Sequence, residues 1–290
     1  MRILLDNGIL GNSEFGCPAT QQTEIVWGPN LIRTNLAGFK RKKPDSSIDR
    51  QAEIDSLFTI GRLIDEEKII PHTYSELQVE SFRRTSDGNY CNPIDTSKII
   101  HCCSPLERSK FRQTIHLDKY FAKGGKKDRK KNDNDLFADY SQLPFMKFIL
   151  DLDLKKVAAI KQYQKEIKLT DFEIESLDDL DRFKLLCKSF QSVENYIDAF
   201  HIWTAERHKL DVFLTFDKKL TNNFDMINSS KNREGKFSVK VLSPCQLLKM
   251  SGIPTDKVPL EDGYFYSLHG LRPTKINDEI GADPTKIVIK

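Results

Sequence analysis

Residues 194–220 read ENYIDAFHIWTAERHKLDVFLTFDKKL, and their centre is an almost continuous apolar run, Val212-Phe213-Leu214 with Phe216. A run this short, with helix-compatible sequence on either side, suits a strand covered on both faces. Asp198 sits on the preceding helix, and Asp217 stands where the strand DVFLTFD ends. A carboxylate just beyond such a strand lies in the crevice where open α/β sheets bind ligands. The first six residues repeat the arrangement: Arg2-Ile3-Leu4-Leu5 is a short apolar strand and Asp6 is at its carboxyl end.

The region between these two segments has the same rhythm. Ser47 to Asp65 is expected to be helical, because Ile48, Ile54, Leu57, Phe58, Ile60, Leu63 and Ile64 recur at helical spacing. Ile69-Ile70-Pro71 is expected to be a short strand ended by proline, followed by a helix from Thr73 to Arg83 capped by Thr73 or Ser75. Alternation of strand and helix points to an α/β fold with a mostly parallel sheet and helices on both faces. Residues 22–39 are compatible with a hairpin around Trp27-Gly28-Pro29-Asn30, and 40–45 should break any regular element. Helices are expected over 146–168, 179–187, 191–208 and 218–227. A strand is expected over 237–242 and a short helix over 243–250. Lys286 to Ile289 suits an edge strand.

Composition narrows the class. At 39% hydrophobic and 30% charged residues the chain can bury a core under a highly charged surface. The net charge of +3 excludes a polycation, so local basic clusters matter more than the total. No apolar run approaches the roughly 18 residues of a membrane span, and Asp6 interrupts the only N-terminal apolar stretch, which argues against a signal peptide. The six cysteines (17, 91, 102, 103, 187, 245) show no disulfide-like framework, which suits reduced thiols and a cytoplasmic setting. Cys102, Cys103, His101, His116, His201 and His208 fit no familiar zinc spacing, and a buried cysteine pair is the expectation at 102–103. The division along the chain is 1–84 as the first part of a core with an insertion at 11–50, 85–145 as insertion or linker, 146–253 as a helical segment and second part of the core, and 254–290 as an extension.

A third acid completes the pattern. Glu76 lies early in the helix after Ile69-Ile70-Pro71, near the same sheet edge as Asp6. Carboxylates brought together repel one another unless a cation neutralises them, and Mg²⁺ or Mn²⁺ accepts oxygen ligands of this kind. Such a metal polarises a phosphate ester and lowers the pKa of a bound water. RILLDNGIL, IIPHTYSEL and YIDAFHIWTAERHKLDVFLTFDKKL together resemble the PIN-domain nuclease family. That family places an aspartate after the first strand, a glutamate early in a helix after the second, an aspartate on a later helix, and a Thr/Ser-x-Asp after the next strand. The matching positions here are Asp6, Glu76, Asp198 and Asp217, with Thr215 as the hydroxyl.

The resemblance covers about half the chain. It implies a three-layer α/β/α fold with insertions and metal-dependent phosphodiester cleavage, most often of RNA. The chain departs from a compact member in the added stretch at 11–50 and in the 122 positions between Glu76 and Asp198. Glu194, one helical turn before Asp198, is either a further metal ligand or a solvated surface residue. Arg83, Arg84, Lys218 and Lys219 are the expected substrate-positioning cations. The run 123–131, six of whose nine residues are Lys or Arg, adds Lys126 and Lys127 as flexible phosphate contacts or is a solvated loop. An endoribonuclease of toxin-like, defence or RNA-processing type is the leading expectation. A structure-specific DNA nuclease, with Glu194 as a fifth acid, and an inactive nucleic-acid-binding or scaffold protein are the alternatives. A homodimer and an inhibitory or activating protein partner both remain open.

Overall fold

The computed structural model describes residues 1–13, 15–27, 30–81, 92–111, 142–190, 192–229, 236–269 and 272–276. Its centre is a five-stranded, wholly parallel sheet. The strands are β1 (Arg2–Leu5), β4 (Ile70–Tyr74), β5 (Ile100–Cys102), β6 (Val212–Leu214) and β7 (Lys240–Leu242), ordered β5-β4-β1-β6-β7. Side chains alternate across the sheet. Leu4 and Phe213 enter one core, while Ile3, Leu5, Val212 and Leu214 enter the other. All six are at most 1% exposed, which explains the unbroken apolar runs.

Helices cover both faces, so the fold is a three-layer α/β/α arrangement. The face shared with Ile3 and Leu5 carries α1 (Asn7–Asn12), α2 (Ile48–Asp65) and α10 (Pro244–Met250). The opposite face carries α4 (Gln142–Leu150), α6 (Asp171–Asp178), α7 (Leu180–Phe190), α8 (Tyr196–Arg207) and α9 (Lys218–Ser229). Ser47 caps α2 by accepting from the Arg50 amide at 3.3 Å. Phe200 and Trp203 are fully buried in the second core.

A smaller, four-stranded antiparallel sheet extends from the first face. Its hairpin pairs β2 (Gly16–Trp27) with β3 (Asn30–Arg41), longer than 22–39 and including Lys40 and Arg41, which were expected to lie outside regular structure. The strands β8 (Phe265–His269) and β9 (Arg272–Ile276) come from the C-terminal extension. Tyr266 stacks on Phe39 with ring centroids 5.6 Å apart, so Phe265 and Tyr266 pack the core.

Several local expectations are corrected. Pro71 does not end its strand: it pairs with Ile3 inside β4. Alternate residues of a strand face alternate neighbours, and the Ile70 amide bonds Met1 on the β1 side. The Pro71 nitrogen therefore faces β5, whose pairing begins only at His72, and no ladder bond is lost. Thr73 belongs to β4, and the following helix α3 starts only at Ser75 and runs through Ser81, with Phe82 and Arg83 lying outside the described residues. The helix expected over 146–168 is two, α4 and α5 (Leu154–Gln162), separated where Asp153 caps the second through the Lys156 amide. Leu154 is 88% exposed, so the apolar stripe does not continue. The strand expected over 237–242 is only β7, and α6 was not anticipated. Cys103 is exposed, not part of a buried pair. Lys286 to Ile289 lie outside the described residues.

Candidate active site

In this strand order the chain leaves β1 toward β4 and β5 on one side, and later builds β6 and β7 on the other. The carboxyl ends of β1 and β6 therefore flank the switch point where doubly wound sheets open a crevice. Asp6 follows β1 directly. It occupies the N-cap position of α1, yet its side chain makes no capping bond. Instead Asp6 Oδ2 accepts from the Thr215 hydroxyl at 2.7 Å, and the Asp6 amide donates to the Leu214 carbonyl at 2.9 Å.

Thr215 connects two of the acids. It is 1% exposed, and while its hydroxyl donates to Asp6 it accepts from the Asp217 amide at 3.1 Å. Asp217 is exposed and caps α9, with Oδ1 accepting from the amides of Lys219 (2.8 Å) and Leu220 (3.0 Å). The ordinary role of an aspartate after a strand is thus realised at Asp217 through one oxygen. Lys218 and Lys219 open α9 beside it and are exposed. Lys218 stands 3.8 Å from Asp49 in a solvated pair of little energetic weight.

Glu76 enters from the other side of β1, as the second residue of α3, which starts directly after β4. It is 3% exposed. Its Oε1 accepts from Arg108 Nε at 3.1 Å, while Oε2 is buried without a hydrogen-bond partner among the described residues. An orphaned buried acceptor costs on the order of 1–3 kcal/mol. The Asn7 Nδ2 group, on the neighbouring helix α1, is likewise buried without a hydrogen-bond partner among the described residues.

Asp198 lies half-buried in the first turn of α8. This helix returns directly into β6, so its N-terminus lies at the level of the strands' carboxyl ends. Glu194 is not on α8 but on the exposed 3₁₀ turn Val193–Asn195 ahead of it, so continuous α-helical spacing does not join it to Asp198. Arg83, Arg84, Lys126 and Lys127 lie outside the described residues.

Topology thus brings Asp6, Glu76, Asp198 and Asp217 to one edge, and hydrogen bonds link Asp6 to Thr215 and Thr215 to Asp217. Among the described residues, no three His, Cys, Asp or Glu side chains are grouped closely enough to hold a metal ion. The donor chemistry nevertheless fits a hard cation: every candidate donor is a carboxylate oxygen, and Glu76 Oε2 has no hydrogen-bond partner among the described residues.

Arg108 is the residue that sequence reading missed. It comes from the segment read as insertion or linker, and no local pattern ties it to Glu76, 32 positions earlier. Gln142, at the start of α4, also reaches this point, donating to the Glu76 carbonyl at 2.8 Å. Asp211, outside the site, fastens the opposite ends of the same strands by accepting from the Arg2 amide at 2.7 Å.

No protein-family model matches the chain, and neither curated proteins nor solved structures give a significant match. The fold and the edge residues define a class only: a three-layer α/β/α protein with carboxylates at the switch point of its sheet. No helix among the described residues is long and apolar enough to cross a membrane.

Proposed function

We propose that the chain is a PIN-type, Mg²⁺- or Mn²⁺-dependent nuclease, an endoribonuclease in preference to a DNA nuclease. The observation that carries this reading is the pairing of an Asp6–Thr215–Asp217 hydrogen-bond chain at the switch point with a buried Glu76 on the helix that follows the adjoining strand, one of whose carboxylate oxygens has no hydrogen-bond partner among the described residues. Asp6, Glu76 and Asp198 would hold the cation, with Asp217 as a further ligand or water-orienting carboxylate. When bound, the cation supplies Lewis-acid polarisation of a phosphate and a water of lowered pKa. Thr215 keeps the Asp6 carboxylate in one orientation, since its own hydroxyl is fixed by the Asp217 amide. Lys218 and Lys219 offer solvated ammonium groups to backbone phosphates, contacts that position a polyanion without reading its sequence.

The test is cleavage of single-stranded RNA, single-stranded DNA and a DNA flap in Mn²⁺ or EDTA by wild type, Asp6→Asn and Asp198→Asn. RNA should be cut in Mn²⁺ only, leaving 5′-phosphate and 3′-hydroxyl ends, and both variants should be folded and inactive. Full activity in EDTA, or 2′,3′-cyclic phosphate products, would refute the mechanism, and preferential flap cleavage would favour the DNA reading.

A further inference from the structure

We infer that Arg108 is a positioning residue for Glu76: its guanidinium holds one carboxylate oxygen so that the other is presented to the cation. The inference rests on the metal-dependent reading above. A carboxylate 3% exposed needs a counter-charge in place. Arg108, itself 12% exposed in its side chain, provides it through Nε to Oε1 of Glu76. Oε2 has no hydrogen-bond partner among the described residues, the arrangement of a ligand oriented by an outer hydrogen bond.

The turn that carries Arg108 is tied in place by side chains from other elements. This turn, Arg108–Phe111, is clamped by Glu173, a carboxylate 1% exposed that accepts from the Glu107 amide at 3.1 Å and pairs with the Lys110 ammonium. Glu173 is fixed in turn as part of the capping box of α6 with Thr170. Gln142 pins the Glu76 backbone from a third direction. A surface arginine neutralising a stray charge needs none of this, whereas a group that must aim a carboxylate does.

The experiment titrates Mn²⁺ into the full chain and follows free Mn²⁺ by electron paramagnetic resonance, with the melting temperature recorded alongside. Arg108→Gln should weaken Mn²⁺ binding about 10- to 100-fold, the usual effect of removing an outer partner of a ligand. Arg108→Lys, which keeps the charge, should recover part of the loss and covers the case in which the Gln variant folds poorly. Because Arg108 acts through Glu76, the Arg108→Gln/Glu76→Gln double variant should bind no more weakly than Glu76→Gln alone. If the folded Arg108 variants bind Mn²⁺ as wild type does, or if the two losses add, the inference is overturned while the nuclease reading stands. If wild type itself shows no Glu76-dependent Mn²⁺ binding, both fall.

Discussion

Replacing Thr215 by valine keeps shape and volume while deleting one hydroxyl, so it isolates the link between Asp6 and Asp217. The lost bond to Asp6 has a charged acceptor at 2.7 Å, a type that contributes about 1.5–3 kcal/mol. Asp6 is half-exposed and can recover part of that from water. The Asp217 amide, on an exposed residue, can also turn to solvent, so its loss adds little. The net cost should be about 2 kcal/mol. At roughly 2 °C per kcal/mol for a chain of this size, the melting temperature should fall by about 4 °C. The Asp6 carboxylate then rotates freely, and Mn²⁺ affinity should drop by about tenfold. Thr215→Ser is the control. It deletes a buried methyl group, costing about 1 kcal/mol, but keeps the hydroxyl and so should leave Mn²⁺ affinity unchanged. Calorimetry and Mn²⁺ titration on the three proteins decide the matter. A valine variant with wild-type melting and wild-type Mn²⁺ affinity would refute the claim that Thr215 orients Asp6.

Burial, with repulsion from Arg2 added, pushes His72 and His208 below the ordinary histidine value of 6.5. The native state therefore binds fewer protons than the unfolded chain, so this contribution is present above 6.5 and is lost as pH falls through the folded values. His208→Gln should flatten the acid side of a melting-temperature profile, and an unaltered profile would count against this assignment. Gly61 of α2 packs so closely that a Cβ would stand 2.1 Å from the Pro93 carbonyl oxygen. Gly61→Ala should therefore lower stability by about 1–3 kcal/mol in denaturant unfolding, despite the better helix propensity of alanine, and a stabilised variant would contradict it. Converting Lys126, Lys127, Lys130 and Lys131 to glutamine should weaken RNA binding evenly across sequences and reduce the log–log salt slope by up to about 3. An unchanged slope would make the run a plain solvated loop.

What the sequence determined by itself was whatever depends on near neighbours. The two-faced burial of β1 and β6 was legible in Ile3-Leu4-Leu5 and Val212-Phe213-Leu214, and α2 in its helical spacing, because hydrophobic periodicity is a local signal. The place of Asp6 at a strand end was legible for the same reason, whereas β6 stops at Leu214 and Asp217 stands beyond it as the cap of α9. Tertiary structure decided the rest. Pro71 reads as a strand terminator until the staggered start of β5 removes the need for its N–H. Glu53, inside an amphipathic helix, reads as a surface charge, yet it is 9% exposed and accepts from the Ser243 hydroxyl and the Cys245 amide, 190 and 192 positions away. Arg108 belongs to the same category: its partner Glu76 lies on another element, brought within reach only when β4 and β5 pair. A buried charge is tolerated where its counter-charge is in place, and that is a property of the assembled layers, which no short window of residues carries.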